Sequence, residues 1–322
     1  MTAPTNTVTT VSAIGNREDL ADIIYDISPM DTPFLSRAAK SRASAVYHEW
    51  QTDALDAAGT NRKVEGDDAT AATFVATTRV GNYLQIASKT ISVSGTQRAV
   101  NSAGRADEYS YQLAKRGREI KRDMEFALVQ NQASSAGGAT VARSLASLES
   151  WLATNKTSVG SGGTPTTPGF SSGTVAAPTD NSAQGTFTKA SLDDVIQKCW
   201  TQGGDPKVIM TGPFNKTVAS GFANIATLYK EVPGAQQGTI LGGADLYVSN
   251  FGEHMIMANR FQRDRTVLVL DMEYLGVATL RDMETIPLGK TGDADRTQLL
   301  VEYTLVVKNE AASGKVTDCT TS

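Results

Sequence analysis

Residues 22–42 read DIIYDISPMDTPFLSRAAKSR, an apolar run cut twice by proline. Ile23, Ile24, Tyr25, Ile27, Met30, Phe34 and Leu35 crowd into it, with Pro29 and Pro33 four positions apart. One unbroken helix is excluded, because the residue before a proline is pushed out of the α region. Upstream, Leu20, Ile23, Ile24 and Ile27 follow helical spacing. Asn16 offers an N-cap, and Glu18 and Asp19 favour the first turn. The spacing predicts a helix ending near Ser28. Pro33 suits the first position of a second helix, running to about Ala39 and burying Phe34 and Leu35. So sticky and bent a segment, close behind the Thr-rich MTAPTNTVTT, is expected to clamp a neighbouring subunit.

Beyond it the pattern changes. AVYHEWQTDAL alternates as a strand, with Val46, His48 and Trp50 on one side and Tyr47, Glu49 and Gln51 on the other. A polar tip follows, carrying Arg62, Lys63, Glu65, Asp67 and Asp68 between the turn points Gly59 and Gly66. The return run, FVATTRVGNYLQIASKTISVSG, changes phase, which predicts a bulge or bend near Ser88. Residues 45–101 therefore read as a long β-hairpin arm with too few apolar residues for its own core, and an isolated hairpin is marginal in water.

Residues 105–132 hold the strongest helical signal. Tyr109, Leu113, Ile120, Met124 and Leu128 form one stripe, and Gly117 falls within it. At 1.5 Å per residue such a helix would span roughly 42 Å, the length of a spine. A shorter helix is expected over 144–155. Residues 158–186 are rich in Gly, Ser, Thr and Pro, nearly uncharged, and read as a surface loop. From Thr188 the pattern is α/β: a capped helix ended by Gly203–Gly204, the strand PKVIMTG, a helix opening at Pro213, and short strands. RTQLLVEYTLVVKNE closes the series as a strand over 296–310, with Leu299, Val301, Tyr303, Leu305 and Val307 on one face.

The 322 residues, 40% hydrophobic and 20% charged, describe a folded chain of one large domain or a few subdomains. No apolar run reaches membrane-spanning length, and the leader lacks the basic and apolar regions of a secretory signal. Cys199 and Cys319 match no metal or redox motif and are expected as free thiols, Cys199 in the core and Cys319 near a tail that can be exposed.

Little points to chemistry. His48 and His254 are the two histidines. Ser249 and Glu253 lie near His254, but no GxSxG elbow accompanies them, so a structural hydrogen bond is the expectation over a hydrolase. The acidic turns GDDAT and GDAD match no metal loop, and SVGSGGTPTTPG lacks the lysine and the frame of a phosphate loop. No catalytic residue, cofactor or metal is expected. A net charge of −4 argues against gripping nucleic acid. The basic cluster Lys115, Arg116, Arg118, Lys121 and Arg122 is interleaved with Glu119, Asp123 and Glu125, which predicts self-paired charges or subunit contacts, with at most weak nucleic-acid contact.

Against this background the chain resembles the major capsid proteins of tailed bacteriophages with the Hong Kong 97 fold, in the sub-family of the phage SU-ten-type capsid protein. EDLADIIYDISPMDTPFLSRAAKSRA followed by VYHEWQTDAL carries the resemblance most specifically. REIKRDMEFALVQNQ, PKVIMTGPFNK and VEYTLVVKNEAA carry it more weakly. The resemblance implies an α+β fold divided into an N-terminal arm over 1–44 and an extended loop over 45–101. A peripheral domain with spine helix and insertion would cover 102–187, an axial domain 188–265, and return strands with the C-terminus 266–322. Ile23, Ile24, Tyr25, Ile27, Pro29, Pro33, Phe34 and Leu35 would be the inter-subunit arm.

The implied function is a self-assembling shell of hexamers and pentamers around double-stranded phage DNA, built in the host cytoplasm and found in the virion. Further copies would be the main partners, with decoration, portal and scaffolding proteins as candidates, at most weak contact with packaged DNA, and no membrane. The competing identities are an encapsulin-like compartment, another phage structural protein such as a tail tube or decoration subunit, and a hydrolase using Ser249 and His254.

Overall fold

The structure, a computed structural model, describes residues 31–68, 71, 74–100, 107–222 and 245–322. The elements run α1 (Pro33–Arg37), β1 (Ala39–Arg42), β2 (Tyr47–Thr52), β3 (Thr78–Tyr83), β4 (Gln85–Ser94), α2 (Gly95–Ala99), α3 (Glu108–Val129) and α4 (Leu148–Trp151). They continue β5 (Lys156–Ser158), β6 (Phe170–Ser171), β7 (Thr174–Val175), α5 (Lys189–Thr201), β8 (Val208–Thr211), α6 (Pro213–Ser220), β9 (Leu246–Ser249) and β10 (Gly252–Ala258). β11 (Val267–Leu270), β12 (Leu275–Leu288), β13 (Ala294–Val307) and β14 (Gly314–Thr317) complete the chain.

Two sheets organise the molecule. The first has the order β1-β12-β13-β4, with β12 and β13 as an antiparallel pair of 14 residues each. The second has the order β5-β14-β11-β8-β10-β9. β11 thus joins the second sheet while β12, four residues later, joins the first. Two cores form, and β8 and β11 of the second sheet face both, Val208, Met210, Leu268 and Leu270 joining the first. Ile120, Met124 and Leu128 of α3 pack with Leu299, Val301, Tyr303 and Leu305 of β13. Leu192, Val195, Ile196 and Cys199 of α5 pack with Ile209, Val269 and Val316.

The ends of α3 follow from local chemistry. Asp107 takes extended backbone and its carboxylate accepts from the amides of Tyr109 and Ser110, satisfying donors that have no partner within the helix. The stripe behaves as an amphipathic helix must: Ile120, Met124 and Leu128 are buried, and Tyr109 and Leu113 lie half-buried against the same core. Gly117 sits against β13, where an added Cβ would meet Leu299 at ordinary van der Waals distance. At 22 residues the helix is about 33 Å long.

Three expectations need correction. The return run does not bend at Ser88. It breaks at Leu84, which is fully buried, and its halves part company: β3 pairs with β2, whereas β4 pairs with β13. The phase change marks a switch of sheets. The helix over 144–155 is a single turn, α4, because its apolar residues Leu145, Ala146 and Leu148 are buried without forming one helical face.

Residues 158–186 form a largely exposed surface loop, as expected, and one tied to the body of the subunit. Phe170 stacks on Trp151 at 5.6 Å and 7°, Val175 is buried, and Asn181 grips Asp318 through its backbone N and its side-chain amide, both at 2.9 Å. Asp318 also accepts from Ser158 at 2.8 Å and Arg265 at 3.0 Å. Cys319 is fully buried, and burial pushes both thiols up to about 12, so neither is a reactive thiolate near neutral pH.

A second set of buried charges lies beside this tie. Glu149 is 1% exposed; its Oε1 accepts from Arg263 at 3.1 Å and Thr266 at 3.0 Å. Arg263 reaches on to Asp180 at 2.5 Å, and buried Lys315 donates to the backbone carbonyl of Glu149 at 2.6 Å. The insertion, α4 and β14 are thereby joined in one polar network.

Candidate assembly surfaces

The hairpin β2–β3 is held hard at its base. Tyr47 packs on Tyr83 at 4.6 Å and donates to the carbonyl of Gly173 at 2.9 Å. Trp50 Nε1 donates to Val307 O at 2.9 Å. Asn82, fully buried, donates to the carbonyls of Ala146 and Leu305 and accepts from Ala146 N at 2.8 Å. Gly81 is required here, since a Cβ would fall 2.8 Å from both His48 O and the Tyr47 ring. Arg79 and Glu49 close the exposed side with paired bonds of 2.7 and 2.5 Å.

Beyond Thr52 the support stops. Arg62, Lys63, Glu65, Asp67 and Asp68 are all exposed, with one weak pair, Lys63–Asp67 at 3.8 Å. Leu55 is 99% exposed and Phe74 88%, with Val64 and Val75 also open. Exposed apolar side chains grouped on one loop are a feature of interaction surfaces.

The arm divides differently from expectation. Ile23, Ile24, Tyr25, Ile27 and Pro29 lie outside the described residues. Pro33 opens α1, and Phe34 is not offered to a neighbour: it is fully buried in its own subunit, with Leu35 half-buried beside it. The reason is a borrowed cap. Thr32 makes no side-chain cap, and the carboxylate of Glu125 on α3 accepts from Phe34 N at 2.9 Å and Leu35 N at 2.8 Å. Those donors would otherwise be orphaned at the helix start. Asn259 Nδ2 also donates to Glu125 at 2.7 Å. Burial raises the Glu125 pKa, and the bonds from Leu35, Phe34 and Asn259 work against that rise. No sequence spacing announces Glu125 as a cap 90 residues away.

The charges of α3 pair among themselves only in part, through Arg116 and Glu119. Glu119 takes Arg116 at 2.6 Å, and Lys89 of β4 reaches Asp123 at 2.9 Å. With Glu125 turned inward, Lys115, Arg118, Lys121 and Arg122 have no carboxylate partner among the described residues.

His254 and Ser249 do meet. Ser249 Oγ lies 2.7 Å from His254 Nε2, while Nδ1 lies 2.5 Å from the carbonyl of Pro206. A carbonyl there accepts only from Nδ1–H, which leaves Nε2 to accept the serine proton. Burial lowers the histidine pKa and keeps the ring neutral. Where a Ser-His-Asp site carries a carboxylate on the second ring nitrogen, this one has a peptide carbonyl, and Asp205 and Asp193 act on the ring only at longer range. Phe251 N also donates to Ser249 Oγ at 3.0 Å, and the group braces the β9–β10 turn. Among the described residues no cluster of His, Cys, Asp and Glu has the makings of a metal site, and no helix is long and apolar enough to cross a membrane.

A family model described as SU10 major capsid protein matches residues 3–320. A major capsid protein of Escherichia phage Phieco32 is 40% identical over 120 residues, a match that spans 37% of this chain and 34% of that protein. Solved structures align over almost the whole length. Gordonia phage Cozz gives a TM-score of 0.59 at 11% identity, covering 99% of this chain and 98% of that one. Mycobacterium phage Cain gives 0.60 at 13%, covering 98% and 100%. The capsid of a native GTA particle gives 0.61 at 12%, again covering 98% and 100%. At such identities the likeness is one of fold.

Proposed function

This chain belongs to the SU10 major capsid protein family, has the Hong Kong 97 fold, and from that premise we propose that it builds an icosahedral shell of hexamers and pentamers around double-stranded DNA. The family match over residues 3–320 carries the proposal. Heterologous contacts repeated around a ring close into such shells. The loop over 53–77, with Leu55 and Phe74 bare, is the surface that lies across a neighbour. Residues upstream of Pro33, rich in Ile, form the second such contact, the arm. On this view α3 with β12 and β13 is the peripheral part, and α5 with the second sheet the axial part. Decoration, portal and scaffolding proteins are its expected partners, the host cytoplasm its place of assembly, and catalysis is absent.

Electron microscopy of the purified protein in negative stain tests this. Closed shells are expected; tubes would replace the proposal with a tail-tube subunit. Virion shells holding DNA and joined to tails support it, whereas shells holding enzyme cargo would favour an encapsulin-like compartment. Ser249 should give no labelling with a fluorophosphonate, and labelling lost in His254→Ala would overturn the non-catalytic assignment.

A further inference from the structure

The face of α3 turned away from the core is built for an acidic, apolar partner. Lys115, Arg118 and Lys121 are exposed there and Arg122 is half-buried. Their carboxylate neighbours are already engaged by Arg116 and Lys89. Phe126, 54% exposed, extends the same face one turn past Arg122.

One stretch of this chain concentrates the complementary composition. Residues 16–31 hold Glu18, Asp19, Asp22, Asp26 and Asp31 against a single cation, Arg17. With those set aside, the rest of the chain carries 29 basic and 29 acidic side chains, so the entire formal charge of −4 resides in that stretch. It also carries Leu20, Ile23, Ile24 and Ile27. Given the shell-building role proposed above, on which this assignment rests, we propose that the basic face of α3 is the docking site for residues 16–31 of a neighbouring copy.

Two further observations favour this occupant. A phosphate backbone would satisfy the lysines and arginines but leave Phe126 bare, whereas the arm supplies isoleucines for it. Also, the arm enters the described structure beside α3: Phe34 and Leu35 are bonded to Glu125, one residue before Phe126. An arm leaving one spine helix and landing on the next gives each subunit one contact to donate and one to receive, as a ring of heterologous contacts requires. Salt weakens such a contact, because its charges are exposed.

The test uses the full chain with Lys115→Glu, Arg118→Glu and Lys121→Glu together. These side chains are exposed, so thermal unfolding of the subunit should match the parent. Shell yield should fall about tenfold or more through like-charge opposition to the arm. Adding Glu18→Lys, Asp22→Lys and Asp26→Lys should restore it. Unchanged shell yield in the first triple variant, or no restoration in the second, overturns the assignment. Normal shells that fail only to retain DNA would hand the face to nucleic acid and overturn it too.

A cysteine pair, Asp22→Cys with Arg118→Cys, adds a second measurement, since the native thiols are buried. Oxidised shells should run as a covalent ladder on a denaturing gel. A cross-link confined to single chains would place the arm on its own spine helix and refute docking on a neighbour. Deletion of residues 1–31 separates the levels: if it abolishes shells while the triple variant does not, the arm's clamp stands and only this docking face falls.

Discussion

Residues 53–77 and 158–186 look alike as sequence: both are polar, threaded with Gly, Thr and Ala, and poor in large apolar side chains. In space they are opposites. The second is woven into its own subunit by Phe170, Val175 and the Asn181–Asp318 tie. The first stands clear beyond Thr52, with Leu55 and Phe74 open. Composition does not separate a woven stretch from a protruding one. What separates them is whether polar partners wait elsewhere in the same chain, as Asp318 does 137 positions from Asn181.

The comparison can be broken most forcefully on the woven side. Glu149→Ala removes the buried carboxylate beside both cations, leaving Arg263 with Asp180 alone and Lys315 with only the backbone carbonyl of residue 149, and should cost about 3 kcal/mol in urea unfolding of the subunit. A loss below about 1 kcal/mol would mean that the network does not hold the insertion.

Asp318→Asn comes next, at about 1.5–3 kcal/mol, the range for hydrogen bonds to a charged group. Burial alone would raise the Asp318 pKa, but bonds from Ser158, Asn181 and Thr317 outweigh it and hold it below the usual value. The unfolded chain then binds this proton more readily than the folded one. Its contribution is therefore present above the ordinary aspartate range and lost as pH falls through the folded pKa. The acid limb of a melting-temperature profile should flatten in Asp318→Asn; an identical limb would contradict the tie.

Lys315 gives a smaller effect, of the same sign in pH but at the alkaline end. Burial pushes its pKa down to about 8 from 10.5. Between those values the folded state binds fewer protons than the unfolded, so this residue's contribution to stability rises with pH. The difference in melting temperature between parent and Lys315→Met should change across that window and level off outside it.

Least of all should the subunit notice Leu55→Ser with Phe74→Ser. Its stability should stay within about 0.5 kcal/mol, because nothing packs on either side chain. Shell yield should collapse. Parent-like shells would show that the loop covers no neighbour.

Much of the fold was legible because helix and strand periods are local. The α3 stripe, Pro33 as a helix start, the cap of α5 at Thr188 and the long terminal strand all declare themselves within a few residues. What escaped was choice of partner. The phase change before β4 was visible, but not that β4 leaves β3 for β13. Phe34 looked like an arm residue because its anchor, Glu125, reads in sequence as one more charge on a charged helix. The pairing of Glu119 and Asp123 with Arg116 and Lys89 likewise hid the unmatched cations beside them.

The break at Leu84 also has a mechanical meaning. β2 and β3 meet the body of the subunit at Trp50 and Asn82, whose hydrogen bonds end on Val307, Leu305 and Ala146. The loop is a cantilever with a built-in root, and β13 is the beam that carries it. A pull on its far end is a bending moment at Asn82, passed directly into β13, an inner strand of the first sheet. A shell wall strung from such levers would stiffen as a whole when loaded at any one loop, and its weakest point would be the unsupported span between Thr52 and Thr78.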